Sequence, residues 1–267
     1  DFRTMPAYLP SLAIAGVKIV NVHPENPRSG LPTVMALTII LDLATGRPVA
    51  IINATRLTDM RTGAAGAVAA KYLSAAKEIV LGVIGTGRQA EAQVAAISKE
   101  LRIRQVRIWG RDPVHVRKFA DRFMEYPCLA AASIENACDC DVLVTTTPST
   151  TPIIRSEWIH EGTHINAIGA DAPGKEELDP VLLRRAEVFV DDPAQAVHSG
   201  EINVPISKGL YRADEIAGTL GEVVIGKKRR SDTDAITIFD STGLAIQDLA
   251  IAKIAMQHGK KIELPFP

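Results

Sequence analysis

The stretch Glu78-Ile79-Val80-Leu81-Gly82-Val83-Ile84-Gly85-Thr86-Gly87-Arg88-Gln89-Ala90 constrains the fold of this chain more than any other. Its apolar run reads as a strand of a buried parallel sheet, and it passes directly into Gly-x-Gly-x-x-Ala. A helix-compatible segment, Gln89 to Glu100, follows. Gly85 suits a tight strand-to-helix turn, and Gly87 lets the backbone approach a pyrophosphate. The small Ala90 lets the helix pack on the strand. Thr86, Arg88 and Gln89 complete a loop whose helix N-terminus offers free N–H groups to phosphates. A bare Gly-x-Gly carries little weight, but a strand before it and a helix after it supply the context the pattern requires. A dinucleotide site is expected here.

The next strand indicates which dinucleotide. Gln105 to Trp109 ends in Gly110-Arg111-Asp112. A site selective for NAD places a carboxylate at this tip to accept hydrogen bonds from the ribose 2′-hydroxyl. Gly110 removes that charge, and Arg111 is suited to a forked contact with a 2′-phosphate. Asp112 would supply a carboxylate if the register shifted by one. NADP(H) is therefore the preferred cofactor, with NAD(H) possible.

With 267 residues, 46% of them hydrophobic, the chain has the means to bury one or two cores. A net charge of −1 gives no reason to expect a nucleic acid or an anionic membrane as partner. No apolar run is long enough to span a bilayer, and the N-terminus lacks a signal-peptide pattern. Cys128, Cys138 and Cys140 lack a second metal-binding half and read as structural thiols of a reducing cytoplasm. His164 and His198 have no ligand-spaced partners, so no metal is expected. The opening Asp1-Phe2-Arg3-Thr4-Met5-Pro6 reads as the middle of a strand, which suggests that the domain's first elements lie upstream.

Residues 1–60 alternate strand-like runs with turns: Gly16 to Asn21, Thr33 to Leu41, and Val49 to Asn53. Strands joined by turns alone imply an antiparallel sheet. Leu57 to Ser74 is rich in small residues and suits a closely packed helix. Strand–helix alternation follows, with strands near 79–84, 105–109, 141–145, 164–168 and 187–190 and a helical stretch from Asp112 to Tyr126, which implies a doubly wound parallel sheet. Ile236 to Phe239 is a further strand and Leu244 to Gln257 a helix. The fold class is α/β: a Rossmann-type doubly wound sheet over 61–241, plus a smaller mixed or antiparallel sheet domain from 1–60 with 242–267 for substrate and dimerisation.

Several residues suit chemistry on a substrate. Arg3, if it faces a cleft, can clamp a carboxylate through two parallel hydrogen bonds; alone it also reads as a surface residue. Lys18 lies between Val17 and Ile19, and a lysine on a strand's buried face needs a partner or a task. Arg61 opens the small-residue helix, where a carboxylate or a cofactor phosphate is within its chemistry. Asp240 ends a strand in Asp240-Ser241-Thr242-Gly243, the edge at which open α/β sheets bind ligands, so it is a candidate for acid–base work; a turn or N-cap role is the alternative. Thr145 and Thr146 follow one strand, and Ile168, Gly169 and Ala170 follow the next. Both loops are suited to line the nicotinamide half of a cofactor, or to be ordinary turns.

Together these pieces resemble the ornithine cyclodeaminase/mu-crystallin family. The resemblance runs through Arg3-Thr4-Met5-Pro6-Ala7, Val17-Lys18-Ile19-Val20-Asn21 with His23-Pro24, and Gly30-Leu31-Pro32-Thr33. It continues through Met60-Arg61-Thr62-Gly63-Ala64, Gly85 to Ala90, Gly162 to Gly169 and Phe239 to Gly243. It implies Lys18 as the catalytic lysine, Asp240 as an acid–base residue near the nicotinamide, and Arg3 and Arg61 as substrate-carboxylate or cofactor contacts. It also implies a homodimer built through the non-Rossmann sheet. The implied substrate is a small amino or keto acid, and the implied reaction is reversible deamination of L-alanine to pyruvate and ammonia. Ornithine cyclisation to proline, reduction of a cyclic imine such as pyrroline-2-carboxylate, and NADP binding without turnover are the alternatives. The family has a further N-terminal stretch with another basic substrate contact, which has no counterpart here.

Overall fold

A computed structural model describes residues 2–259; residues 260–267, which the sequence assigns to the substrate and dimerisation domain, lie outside the described residues. The chain begins with β1 (Phe2–Leu9), β2 (Ile14–Val22), β3 (Val34–Leu41), β4 (Pro48–Asn53) and α1 (Thr55–Leu73). Then come β5 (Glu78–Ile84), α2 (Arg88–Ile97), β6 (Arg102–Trp109), α3 (Pro113–Ala120), β7 (Cys128–Ala130), α4 (Ile134–Cys138), β8 (Val142–Thr145), β9 (Thr150–Ile154) and β10 (His164–Ala167). The remainder comprises β11 (Glu176–Leu178), α5 (Pro180–Arg185), β12 (Ala186–Val190), α6 (Pro193–Ser199), α7 (Asn203–Ser207), β13 (Gly218–Thr219), α8 (Leu220–Val224), β14 (Ile236–Asp240) and α9 (Ala245–His258). The elements form two compact units, Asp1–Arg61 with Leu244–Pro267 and Thr62–Gly243, so the boundary falls within α1. Among the described residues, no helix is long and apolar enough to cross a membrane.

The smaller unit is an antiparallel meander in the order β1-β2-β3-β4. Side chains alternate across a strand, so the pairings Met5↔Lys18, Lys18↔Thr38 and Thr38↔Ile52 put these four on one face. Helix α9 covers that face, with Asp248, Leu249 and Ala252 buried at helical spacing and Leu249 packed with Ile14 and Ile40. Gly16 permits the approach, because a Cβ there would overlap the Ile39 carbonyl and crowd Leu249. The opposite face carries Thr4, Pro6 and Tyr8 on β1, Val17 and Ile19 on β2, Leu37 and Ile39 on β3, and Ile51 on β4.

The larger unit is an eight-stranded sheet in the order β13-β12-β14-β10-β8-β5-β6-β7, and every pairing in it is parallel. β5 has its sequence neighbour β6 on one side and β8 on the other. The order therefore reverses at β5, and the carboxyl ends of β5 and β8 flank the crevice where doubly wound sheets take ligands. Apolar clusters on both faces account for the uninterrupted hydrophobic strands. α1 packs against α2 through its glycines: a Cβ at Gly63 would overlap the Ala92 carbonyl, and one at Gly66 the Gln93 amide. Beneath them His164 is fully buried between Thr237 Oγ1 (2.9 Å) and Asn166 Oδ1 (3.0 Å), and burial pushes its imidazole down to about 3, so it is neutral.

Candidate active site

At the switch point Gly85 has φ +104°, in the region that favours glycine, and a Cβ there would crowd Thr146 Oγ1 from the β8 loop. Gly87 is the N-cap of the ten-residue helix α2, with no side-chain cap and no atom within 4 Å of where a Cβ would stand. Open space, uncapped N–H groups and a close backbone suit a pyrophosphate. Thr86 lies over Gly110, whose Cβ position is 3.1 Å from the Thr86 methyl, so a tight contact also favours glycine at the β6 tip. Asp112 is the N-cap of α3 and accepts from Val114 N at 2.8 Å, while Arg111 is exposed. These residues fit a dinucleotide.

The β8 and β10 loops are joined by a residue that the sequence reading did not select. Glu177 has no exposed surface and accepts four hydrogen bonds. They come from Thr147 N (2.6 Å), Thr147 Oγ1 (2.7 Å), Thr145 Oγ1 (2.7 Å) and Gly169 N (2.9 Å). Ile168 and Ala170, expected to line the cofactor, have buried side chains; Ile168 joins the core with Val83 and Val144.

In the smaller unit, Lys18 is 1% exposed, with Nζ 2.7 Å from Asp248 Oδ2. Arg61 Nε lies 3.1 Å from Asp248 Oδ1, and its Nη1 donates to Gln247 Oε1 at 3.1 Å. Burial, then the Arg61 charge, lower the lysine to about 8; Asp248 opposes them and Arg3 adds a smaller push downward. The structure thus brings Arg3, Lys18 and Arg61 into one electrostatic group. Asp248 is the member that sequence reasoning passed over, and its signal was a carboxylate in register with Leu249 and Ala252 on the apolar stripe of α9.

The family model for the ornithine cyclodeaminase/mu-crystallin family matches residues 1–261. The chain belongs to this family. It is 49% identical to the alanine dehydrogenase of Archaeoglobus fulgidus over 97% of this chain and 80% of that protein. A solved archaeal alanine dehydrogenase dimer with bound NAD superposes with a TM-score of 0.92 at 47% identity, covering 98% of this chain and 84% of that one. The Thermococcus litoralis Δ1-pyrroline-2-carboxylate reductase in complex with NADH and L-proline gives a TM-score of 0.94 at 33% identity, with the same two coverages.

Within this family fold, Asp240 has a different setting from the one expected of an acid–base residue. It has no exposed surface, and its oxygens accept from Glu201 N (2.9 Å) and Ile202 N (3.3 Å). Gly200 is packed so closely on it that a Cβ would overlap the carboxylate. Burial pushes Asp240 up to about 7. The Ser241-Thr242-Gly243 turn is held separately, by Asp191 accepting from Thr242 Oγ1 (2.6 Å) and Gly243 N (2.7 Å). Asp240 supports the backbone of the α6–α7 turn and is closed off from solvent in the single chain. At the carboxyl edge Asp171, in the loop after β10, is 39% exposed and ion-paired with Lys175 at 2.5 Å.

Proposed function

We propose that this protein catalyses the reversible NAD(P)-dependent oxidative deamination of a small L-amino acid, with L-alanine giving pyruvate and ammonia. The chain is an oxidoreductase of a family whose members use nicotinamide cofactors. The observation that carries the reading is the buried amine of Lys18, held against Asp248 beside Arg61 and poised near neutrality. Nearness of a pKa to working pH is what general acid–base work requires.

In this reading, the Gly85–Gln89 loop and the N-terminus of α2 would hold the pyrophosphate. Thr145, Thr146 and Gly169 would hold the nicotinamide half, the group that would supply the hydride acceptor. The positive group of Arg3 and Arg61 fixes the substrate carboxylate. Lys18 as a neutral amine takes a proton from the substrate ammonium, so that the nitrogen lone pair can form the C=N bond as the hydride leaves. Water then adds to the imine carbon; the nitrogen regains a proton and departs as ammonia. Asp171, accessible at the strand edge, is our choice for the carboxylate that serves the water, ahead of Asp240, whose oxygens accept from the α6–α7 turn.

The bare tip at Gly110, the exposed Arg111 and the use of Asp112 as a helix cap support NADP(H) ahead of NAD(H). The two solved relatives carry NAD and NADH, so the comparison of both cofactors is decisive. Arg111→Ala is expected to weaken NADPH about tenfold and leave NADH unchanged, read as kcat/KM for each. The function itself is tested by oxidation of NADPH and NADH with ammonia plus pyruvate, in parallel with pyrroline-2-carboxylate. Turnover with pyruvate and ammonia supports the deaminating reading. Turnover with the cyclic imine alone moves the chain to the imine reductases, and turnover with neither sinks the dehydrogenase claim.

A further inference from the structure

Glu177 is a carboxylate inside the larger unit that the reaction above does not use. Each of its oxygens serves one side of the switch-point edge differently. Oε1 takes both Thr147 groups of the β8 loop, while Oε2 takes Thr145 Oγ1 and, from the β10 loop, Gly169 N. The β10 loop passes close enough only because residue 169 is glycine: a Cβ would overlap both Glu177 Oε2 and the Thr147 carbonyl. Two more buried carboxylates stand behind it in series. Glu201 Oε1 accepts from Glu177 N (2.8 Å) and Leu178 N (2.6 Å), and Asp240 in turn accepts from Glu201 N. Each acid grips the backbone of the next, from the end of β14 to the loops beside Gly85.

Burying a carboxylate costs desolvation that its hydrogen bonds must offset, and the donors around Glu177 come from both loops. Burial raises Glu177, and the hydroxyls of Thr147 and Thr145 and the amides of Thr147 and Gly169 oppose that rise. The four donors match an ionised carboxylate, since a neutral group lacks acceptors for all of them.

We propose that Glu177 is the positioning residue of the nicotinamide pocket, a buried clasp that sets the β8 and β10 loops at the spacing that holds the nicotinamide half of the cofactor. The proposal rests on the dinucleotide reading given above. Its chemistry makes a distinction that general loss of stability would not. The adenosine diphosphate half is held by the Gly85–Gln89 loop and α2, which Glu177 does not touch, so only the other half should suffer.

Glu177→Gln keeps the size and removes acceptors: an amide oxygen can serve one side of the clasp, and its NH2 then opposes the donors of the other. The full chain and the variant are titrated by calorimetry with ADP-ribose, its 2′-phosphate, NADH and NADPH, alongside kcat and cofactor KM. The expected result is NAD(P)H binding weakened about tenfold or more, with ADP-ribose binding unchanged. Equal weakening of both ligand types, or of neither, overturns the proposal. If Glu177→Gln does not fold, Thr147→Val removes a single hydroxyl donor to Glu177 at nearly constant volume. It is expected to show the same split at about threefold, and equal effects on both ligands there overturn the proposal as well. Wild-type protein that binds none of the four would instead refute the dinucleotide reading on which the proposal rests.

Discussion

At the residue scale, the proposed reaction gives chemistry to Lys18 and Asp171 and a supporting place to Asp240. In the proposed reaction Lys18 sheds a proton, and burial beside Arg61 brings it to about 8. The rate of alanine oxidation should therefore rise as pH passes upward through about 8. Lys18→Arg keeps the charge but cannot release it, so kcat should fall about a thousandfold across the pH range, with cofactor affinity retained. A pH–rate profile with the same limb in the arginine variant would refute the role. Asp171→Asn should lower kcat about a hundredfold with the melting temperature unchanged. Asp240→Asn should do the reverse. It places an NH2 against a backbone amide at a cost of about 2 kcal/mol and a melting temperature lower by about 5 °C. Asp240 binds its proton more tightly folded than unfolded. Its contribution is thus complete below about pH 4 and is lost as pH rises through about 7. Melting curves over that range should lose this slope in the asparagine variant.

At the scale of elements, what was legible depended on whether the signal was local. The strand–glycine–helix run of β5 and α2 could be read from contiguous residues because turn, close approach and packing each demand a residue type. The alternation after residue 78 gave the doubly wound sheet for the same reason, since strands buried on both faces are continuously apolar. The short β9–β11 pair had no such signature: Glu176-Glu177-Leu178 is polar in sequence, and its buried glutamates take donors from residues distant in sequence, Thr145 and Thr147 for Glu177 and Lys208 for Glu176. The setting of Asp240 is hidden from the sequence for the converse reason. A carboxylate at a strand tip looks available, and nothing local reveals that Gly200 seals it. Asp248 was the site residue most open to discovery, since a charge within an apolar helical stripe needs a partner. It belongs to α9, and the partner it meets is Lys18. Asp248 holds the lysine upward against burial, so Asp248→Asn should move the limb of the pH–rate profile to lower pH. An unchanged limb would show that Asp248 merely fills space.

At the scale of the whole molecule, the uncovered face of the smaller sheet is the feature with a consequence for assembly. Antiparallel sheets with one solvated face alternate apolar and polar residues, yet here the face opposite Lys18 reads Pro6 and Tyr8, Val17 and Ile19, Leu37 and Ile39, and Ile51. No Lys, Arg, Asp or Glu lies on it at the described paired positions. Tyr8 is 62% and Ile51 64% exposed in the single chain. A contiguous apolar surface of this kind marks an association site, and a relative of this chain is a dimer with bound NAD. We propose that a second copy of the chain covers the face. Light scattering on the eluting protein should give twice the chain mass. Ile51→Asp sets a charge on this apolar face without burying it in the isolated chain. It should therefore yield monomer at micromolar concentration with secondary structure intact. A wild-type protein that elutes as monomer, or an Ile51→Asp variant that remains dimeric, would move the interface elsewhere.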